Sequence, residues 1–148
     1  MEGPKIIDAS DLVLGRLASV VAKRLLAGES IVIVNAEKAV ITGKKTSILE
    51  RYRQRFGIRT LTAPWRGPLH YRRPDRFVKR TIRGMLPYKT PRGRKAYKRL
   101  LVHIGIPDGV EDKMKETLPQ ASIGRTKGRG IRVYELTREL GWIPSVEG

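Results

Sequence analysis

Ile31-Val32-Ile33-Val34 is an unbroken run of four β-branched residues. Branching at Cβ stiffens these side chains and suits them to a pleated strand. Four residues are too few for a helix, and apolar side chains on both sides leave no face for water. A strand covered on both faces, as in a parallel sheet, meets those conditions. Lys5-Ile6-Ile7-Asp8 reads as a shorter strand before it. Between the two, Leu14, Leu17, Ala18, Val21 and Leu25 recur at i, i+3, i+4, i+7 and i+11, which is one helix face. Ser10 or Asp11 can cap this helix, and Gly28 stops it. Asn35 to Lys38 turns the chain, and Ala39-Val40-Ile41 reads as a third strand. Strand, helix, strand, turn, strand predicts an α/β domain built on a parallel sheet.

The next stretch sets the charge. Ile41 to Val102 holds nineteen Lys and Arg residues and two acids, Glu50 and Asp75. Its net charge of +17 equals that of the whole chain, because the flanks on either side are neutral. A concentrated excess of this kind points to a polyanionic partner. Phosphate backbones attract clustered cations through counterion release, and arginine, the commoner cation in this block, grips phosphate with a planar fork.

The basic residues are not a tail, for they alternate with apolar ones at helical spacing. A helix from about Lys45 carries Ile48, Leu49, Tyr52 and Phe56 within one arc, with Lys44, Arg51 and Arg55 beside it, and ends at Gly57. Residues 62–74 contain three prolines and a glycine, which predicts an ordered loop carrying Trp65, Arg66, His70, Tyr71, Arg72 and Arg73. Aromatic residues among arginines can stack on bases or anchor the loop to the core. Anchoring is the expectation for Trp65; both roles stay open for Tyr71. A third helix starts at Pro74-Asp75, with Phe77, Val78, Ile82 and Met85 on one half and Arg76, Lys79, Arg80 and Arg83 on the other. After Pro87 and Lys89, a fourth helix uses Thr90 as cap and Pro91 in its first turn. Ala96, Tyr97 and Leu100 face inward there, and Arg92, Lys95, Lys98 and Arg99 outward. Leu101-Val102-His103-Ile104 reads as a fourth strand closing the sheet. In the tail, Pro107-Asp108-Gly109 is a turn, Asp112 to Thr117 a short helix or extended arm, and Tyr134 to Leu140 a short helix. Arg125, Lys127 and Arg129 lie in a glycine-rich basic loop, Gly124 to Gly130. The reading is an α/β core over 1–105, with its basic helices and loop at 41–102, and an irregular C-terminal extension over 106–148 in the same domain.

At 148 residues with 40% hydrophobic content, the chain can bury a core of its own. No apolar run reaches the roughly 20 residues that cross a bilayer, and the first residues lack the pattern of a signal peptide. With no cysteine and two separated histidines, neither a disulfide framework nor a zinc site is expected. Thr42-Gly43-Lys44-Lys45-Thr46-Ser47 approaches a phosphate-binding loop but fails on spacing. Lys38 stands at the first glycine position, and Lys45 where Ser or Thr would bind magnesium. The tail loop likewise fails the dinucleotide pattern, with Val133 in its last place. Asp8 and Glu37 lie near strand ends but form no acid–base pair; capping or salt-bridging is their expected role. His103 reads as a satisfied strand residue. No cofactor and no small-molecule substrate are expected.

Several runs together are similar to one known family. They are Ile7-Asp8-Ala9, Leu14-Gly15-Arg16-Leu17-Ala18-Ser19, Val32-Ile33-Val34-Asn35-Ala36-Glu37-Lys38 and Ile41-Thr42-Gly43-Lys44-Lys45. The most specific is Ile82-Arg83-Gly84-Met85-Leu86-Pro87, followed by Gly93-Arg94 and Leu100. The blocks run in order through residues 6–105 and resemble the large-ribosomal-subunit protein numbered thirteen in the universal scheme. The tail lacks the His-Pro-rich segment of the bacterial form and looks like the archaeal or eukaryotic branch, and the modest length favours the archaeal. His103 departs from the aromatic or leucine expected there. The resemblance implies a three-layer α/β/α fold around a four-stranded parallel sheet in the order 3-2-1-4. It also implies binding to large-subunit ribosomal RNA, contact with neighbouring ribosomal proteins, a part in subunit assembly, and a place in the cytoplasmic ribosome. Carried onto this chain, RNA contact falls on Lys44, Lys45, Arg66, Arg72, Arg73, Arg76, Arg80, Arg83, Arg92, Arg94, Lys95 and Lys98, with Met85 packing in the core. Arg51, Arg55, Tyr71, Lys79, Lys89, Arg99, Arg125, Lys127 and Arg129 complete the candidate surface from the charge pattern. Two other readings remain at this point: a general nucleic-acid-binding protein, and a nucleotide-using enzyme on an α/β scaffold.

Overall fold

The computed structural model describes residues 3–110, 113–125 and 129–144. In chain order the elements are β1 (Lys5–Asp8), α1 (Leu14–Leu26), β2 (Ile31–Val34), β3 (Val40–Thr42) and α2 (Lys45–Gly57). Then come α3 (Pro74–Gly84), α4 (Pro91–Lys98), β4 (Leu100–Val102), β5 (Lys115–Glu116), β6 (Gly130–Arg132) and α5 (Val133–Glu139). The fold is mixed α/β with a four-stranded parallel sheet, consistent with a three-layer α/β/α arrangement.

β1 and β2 pair in parallel, Ile7 opposite Ile33, with α1 as the crossover between them. β4 adds beside β2, and β5 beside β1, giving the order β4-β2-β1-β5. Counted along the strands of this sheet, that is 3-2-1-4, but the occupants differ from those expected. β3 is not in the sheet; it pairs antiparallel with β6, Ile41 opposite Ile131. The reason is the length of the connection. Only residues 35–39 separate β2 from β3, whereas a parallel return needs a crossover of a dozen residues or more. Asn35, left-handed at φ 54°, and the 3-10 turn Ala36–Lys38 swing the chain away instead. The edge beside β1 is taken by Lys115-Glu116, where Glu116 salt-bridges Arg24 of α1 at 3.1 Å.

Ile7, Ile31, Ile33, Leu100 and Val102 share one core with Leu17, Val21 and Leu25 of α1 and with Phe77, Val78 and Ile82 of α3. On the opposite face Ile6, Val32 and Val34 pack together under Val110. The β-branched run is thus buried on both faces. Each large side chain so buried stabilises the fold by roughly 1.5–3 kcal/mol. Residues beyond 106 join this core too: Leu118, Ala121, Ile131, Val133 and Leu136 are buried in it.

Two local expectations change. Neither Ser10 nor Asp11 caps α1, whose N-cap is Val13 with no side-chain bond. The Val13 N–H donates to the Ala121 carbonyl at 2.7 Å, so the tail closes that helix end. Asp11 has a positive φ and pairs with Arg132 at 2.8 Å. Met85 is 43% exposed, not core. It caps the end of α3, where the backbone turns, and Leu86 points inward in its place. Gly28, at φ +103°, follows the end of α1 as expected.

Candidate nucleic-acid interface

α3 is the centre of the basic surface. Pro74 occupies its first position and Asp75 its first turn. Burial of Phe77, Val78 and Ile82 fixes its rotation about its own axis. Arg76, Lys79, Arg80 and Arg83 are thereby turned outward. Three of these cations lie against tyrosine rings: Arg76 is 5.9 Å from the Tyr71 centroid, Lys79 is 4.9 Å from Tyr97, and Arg83 is 3.8 Å from Tyr88. Tyr88 and Tyr97 meet edge-to-face at 5.4 Å. The rings hold the cations in place without neutralising them. Burial pushes the Tyr97 phenol above its ordinary pKa, with Tyr71 and Tyr88 adding to the rise and Arg83 opposing it.

α4 packs against α1 and β4, and its Gly93 fits against the turn that precedes it. The Thr90 hydroxyl accepts the Gly93 N–H at 3.3 Å, the expected cap. A Cβ on Gly93 would lie 2.0 Å from the Pro87 carbonyl oxygen. Arg92, Arg94, Lys95 and Lys98 are exposed on α4. Arg94 donates to the Lys89 carbonyl at 3.2 Å. Arg99 is different: it donates to the Leu25 carbonyl at 2.6 Å, closing the C-terminal end of α1. Its head group is committed to the fold.

α2 presents Lys44, Arg51 and Arg55 outward, with Ile48 buried and Tyr52 packed on Phe77 at 5.4 Å. Lys45 and Arg53 are tied to Glu135 and Glu139 of α5 at 3.5 and 3.2 Å. The Gly43 N–H donates to the Arg129 carbonyl at 3.0 Å, so the tail loop adjoins the entry to α2. Arg129 is exposed there. Arg125 ends the 3-10 turn Ile123–Arg125, and Lys127 lies outside the described residues.

The proline-rich loop carries Arg66 and Trp65 in a 3-10 turn, Pro64–Arg66. Trp65 is 73% exposed and does not anchor the loop. That work falls to His70, edge-on to Phe56 of α2 at 5.1 Å, and to Arg72, 5.5 Å from the same ring. Arg73 pairs with Asp75 at 3.1 Å. Of the nineteen cations between residues 41 and 102, only Lys45, Arg53 and Arg73 form ion pairs among the described residues, leaving sixteen unpaired.

Sequence reasoning missed Tyr88 as the partner of Arg83, and the role of Gly93. Tyr88 lies between helices, where no periodicity reports side-chain direction. The acids near strand ends do structural work. Asp8 accepts from the Ser10 N–H at 2.9 Å and from Asn35 Nδ2 at 3.1 Å; Glu37 accepts from the Gly105 N–H at 3.0 Å. Burial acts to raise the pKa of Asp8, but the Ser10 and Asn35 hydrogen bonds and the Lys115 charge together hold it below the ordinary value. β4 ends at Val102, so His103, expected within the strand, lies just beyond it; its N–H still donates to the Ile33 carbonyl at 2.8 Å.

Residues 4–109 match the family model described as Ribosomal protein L13, which is more than half of the chain. The chain belongs to the ribosomal protein L13 family. Archaeal relatives within that family are similar to it over most of its length. The large ribosomal subunit protein uL13 of Archaeoglobus fulgidus is 45% identical over 139 residues, covering 93% of this chain and 87% of the relative. The protein of the same name from Methanopyrus kandleri is 47% identical over 140 residues, covering 93% and 86%. That from Methanosphaera stadtmanae is 50% identical over 117 residues, covering 78% and 82%. The chain is of the archaeal type of L13, and the alignments of the first two relatives are long enough to reach into its tail.

Proposed function

We propose that this chain is a structural constituent of the large ribosomal subunit, in the cytoplasmic ribosome, that binds large-subunit ribosomal RNA and supports subunit assembly. The observation that carries RNA binding is the set of cations between residues 41 and 102, Arg99 apart, that form no ion pair among the described residues and stand on the helices and loops of one α/β body. Phosphates supply the missing counter-charges, and the body fixes the distances between them. Packed RNA helices repel each other, and a rigid array of cations between them lowers that repulsion. Lys44, Arg51 and Arg55 form one patch, joined by Arg129; Arg125 and Lys127 belong to the same loop. Arg76, Lys79, Arg80 and Arg83 form a second patch, and Lys89, Arg92, Arg94, Lys95 and Lys98 a third. Arg66, Arg72 and Arg73 extend the surface along the loop. Neighbouring ribosomal proteins would meet the faces that RNA leaves uncovered.

The crevice beyond the carboxyl end of β1, where an open α/β sheet would hold a nucleotide, is built over by the chain itself. Leu12 bridges to Ser122, and the Val13 N–H is spent on Ala121. That favours a structural over a nucleotide-using role. The test is binding of the full chain to large-subunit ribosomal RNA across a salt series, with duplex DNA as competitor. The expected result is tight, RNA-preferring binding whose log–log salt slope is about −5 or steeper. Equal binding to duplex DNA would replace this reading with that of a general nucleic-acid binder.

A further inference from the structure

We infer that the cleft bounded by α3, Tyr97 of α4 and β4 is a subsite for one unpaired nucleotide of the RNA, with its base against Tyr71 and its phosphate on the α3 cations. This rests on the RNA-binding reading and adds what that reading lacks, a place where a base is taken. The cleft has a volume of about 310 Å³, and its lining includes Tyr71, Asp75, Arg76, Lys79, Arg83 and Tyr97, together with two apolar residues of β4. That is the low end of the roughly 300–1,000 Å³ range of small-ligand sites, too small for a duplex groove and suited to a single nucleotide. Its composition is that of a base-stacking site. Aromatic faces offer a sequence-tolerant platform, and cations at the rim take the backbone.

The geometry distinguishes this cleft from the plain basic faces beside it. Arg80, Arg92, Lys95 and Lys98 project without an aromatic neighbour among the described cation–ring contacts, as phosphate-only contacts would. Arg76, Lys79 and Arg83 each rest on a tyrosine, and Tyr71 is 39% exposed with Arg76 at the edge of contact, 5.9 Å away. A base that displaces Arg76 from Tyr71 gains the ring face and frees the guanidinium for its own phosphate. Asp75, also on this cleft, is engaged within the protein. Its Oδ1 takes Arg73 and the Arg76 N–H, at 3.1 and 2.8 Å.

The test uses the full chain and intact large-subunit ribosomal RNA. Tyr71→Ala is expected to weaken binding by about 5- to 150-fold, the span of one lost stacking contact, with the salt slope unchanged. Tyr71→Phe restores affinity. Chemical probing of base edges is expected to show one unpaired base protected in the wild-type complex and reactive in the Tyr71→Ala complex. Wild-type affinity and an unchanged protection pattern for Tyr71→Ala would overturn the subsite while leaving RNA binding intact. A shallower salt slope for Tyr71→Ala would overturn it as well, by making Tyr71 a support for phosphate contacts. Failure of the wild-type chain to bind the RNA would instead remove the reading beneath it.

Discussion

Gly93 lets α4 pack against the turn that joins it to α3. A single methyl there would stand 2.0 Å from the Pro87 carbonyl oxygen, inside any real contact distance, and the atom it meets is backbone. The turn from Met85 to Thr90 would have to move, carrying Tyr88 away from Arg83 and Tyr97. Gly93→Ala is therefore expected to lower stability by about 3 kcal/mol, read as a lower urea midpoint with unchanged denaturant sensitivity. A loss under about 0.5 kcal/mol would mean that the turn yields freely. At this scale the sequence was legible where backbone chemistry is local: the Thr90 cap, Pro74 and Pro91 in first turns, and Gly28 after α1. Met85 and Trp65 were not legible. Residue type reports a preference for burial, but beyond a helix end the turn geometry decides which of two neighbours points inward, and that depends on contacts distant in sequence.

The helices carry core and charge in one pattern, and this made α2, α3 and α4 readable. Apolar and basic residues repeat at the same helical period on opposite sides, so burying one set exposes the other. On α3 the result is a face whose cations have no acid beside them except Asp75, already engaged by Arg73. Changing Arg76, Arg80 and Arg83 together to Ala is expected to flatten the salt slope of RNA binding by about 2 to 3 units, roughly one for each lost phosphate contact. An unchanged slope would remove this face from the interface. The sheet was less legible than the helices. Ile31–Val34 announced a strand buried on both faces, but strand pairing is a long-range choice. β3 reads as apolar and β5 as polar, yet β5 joins the sheet and β3 leaves it. For β3 the five-residue connection already excluded a parallel return. Nothing local marks Lys115-Glu116 as a strand, because its place depends on the free edge of β1 and on Arg24 across it.

Across the whole molecule, charge is segregated rather than mixed. The net +17 lies in residues 41–102, and among the described residues the acids of the flanks pair with only two of those cations, Lys45 and Arg53. A free chain of this kind repels itself, and RNA relieves that repulsion when it binds. The tail works in the opposite direction. β5, β6 and α5 pair with the sheet, with β3 and with α2, so the cations stand on a body whose tail is tied to its core. That combination suits a structural constituent of a ribonucleoprotein better than a mobile chaperone. The most direct measurement is gradient sedimentation of native extract containing this chain. The account predicts co-migration with the large ribosomal subunit, abolished by RNA digestion or high salt. Sedimentation at the top of the gradient in intact, low-salt extract, or with the small subunit alone, would contradict it.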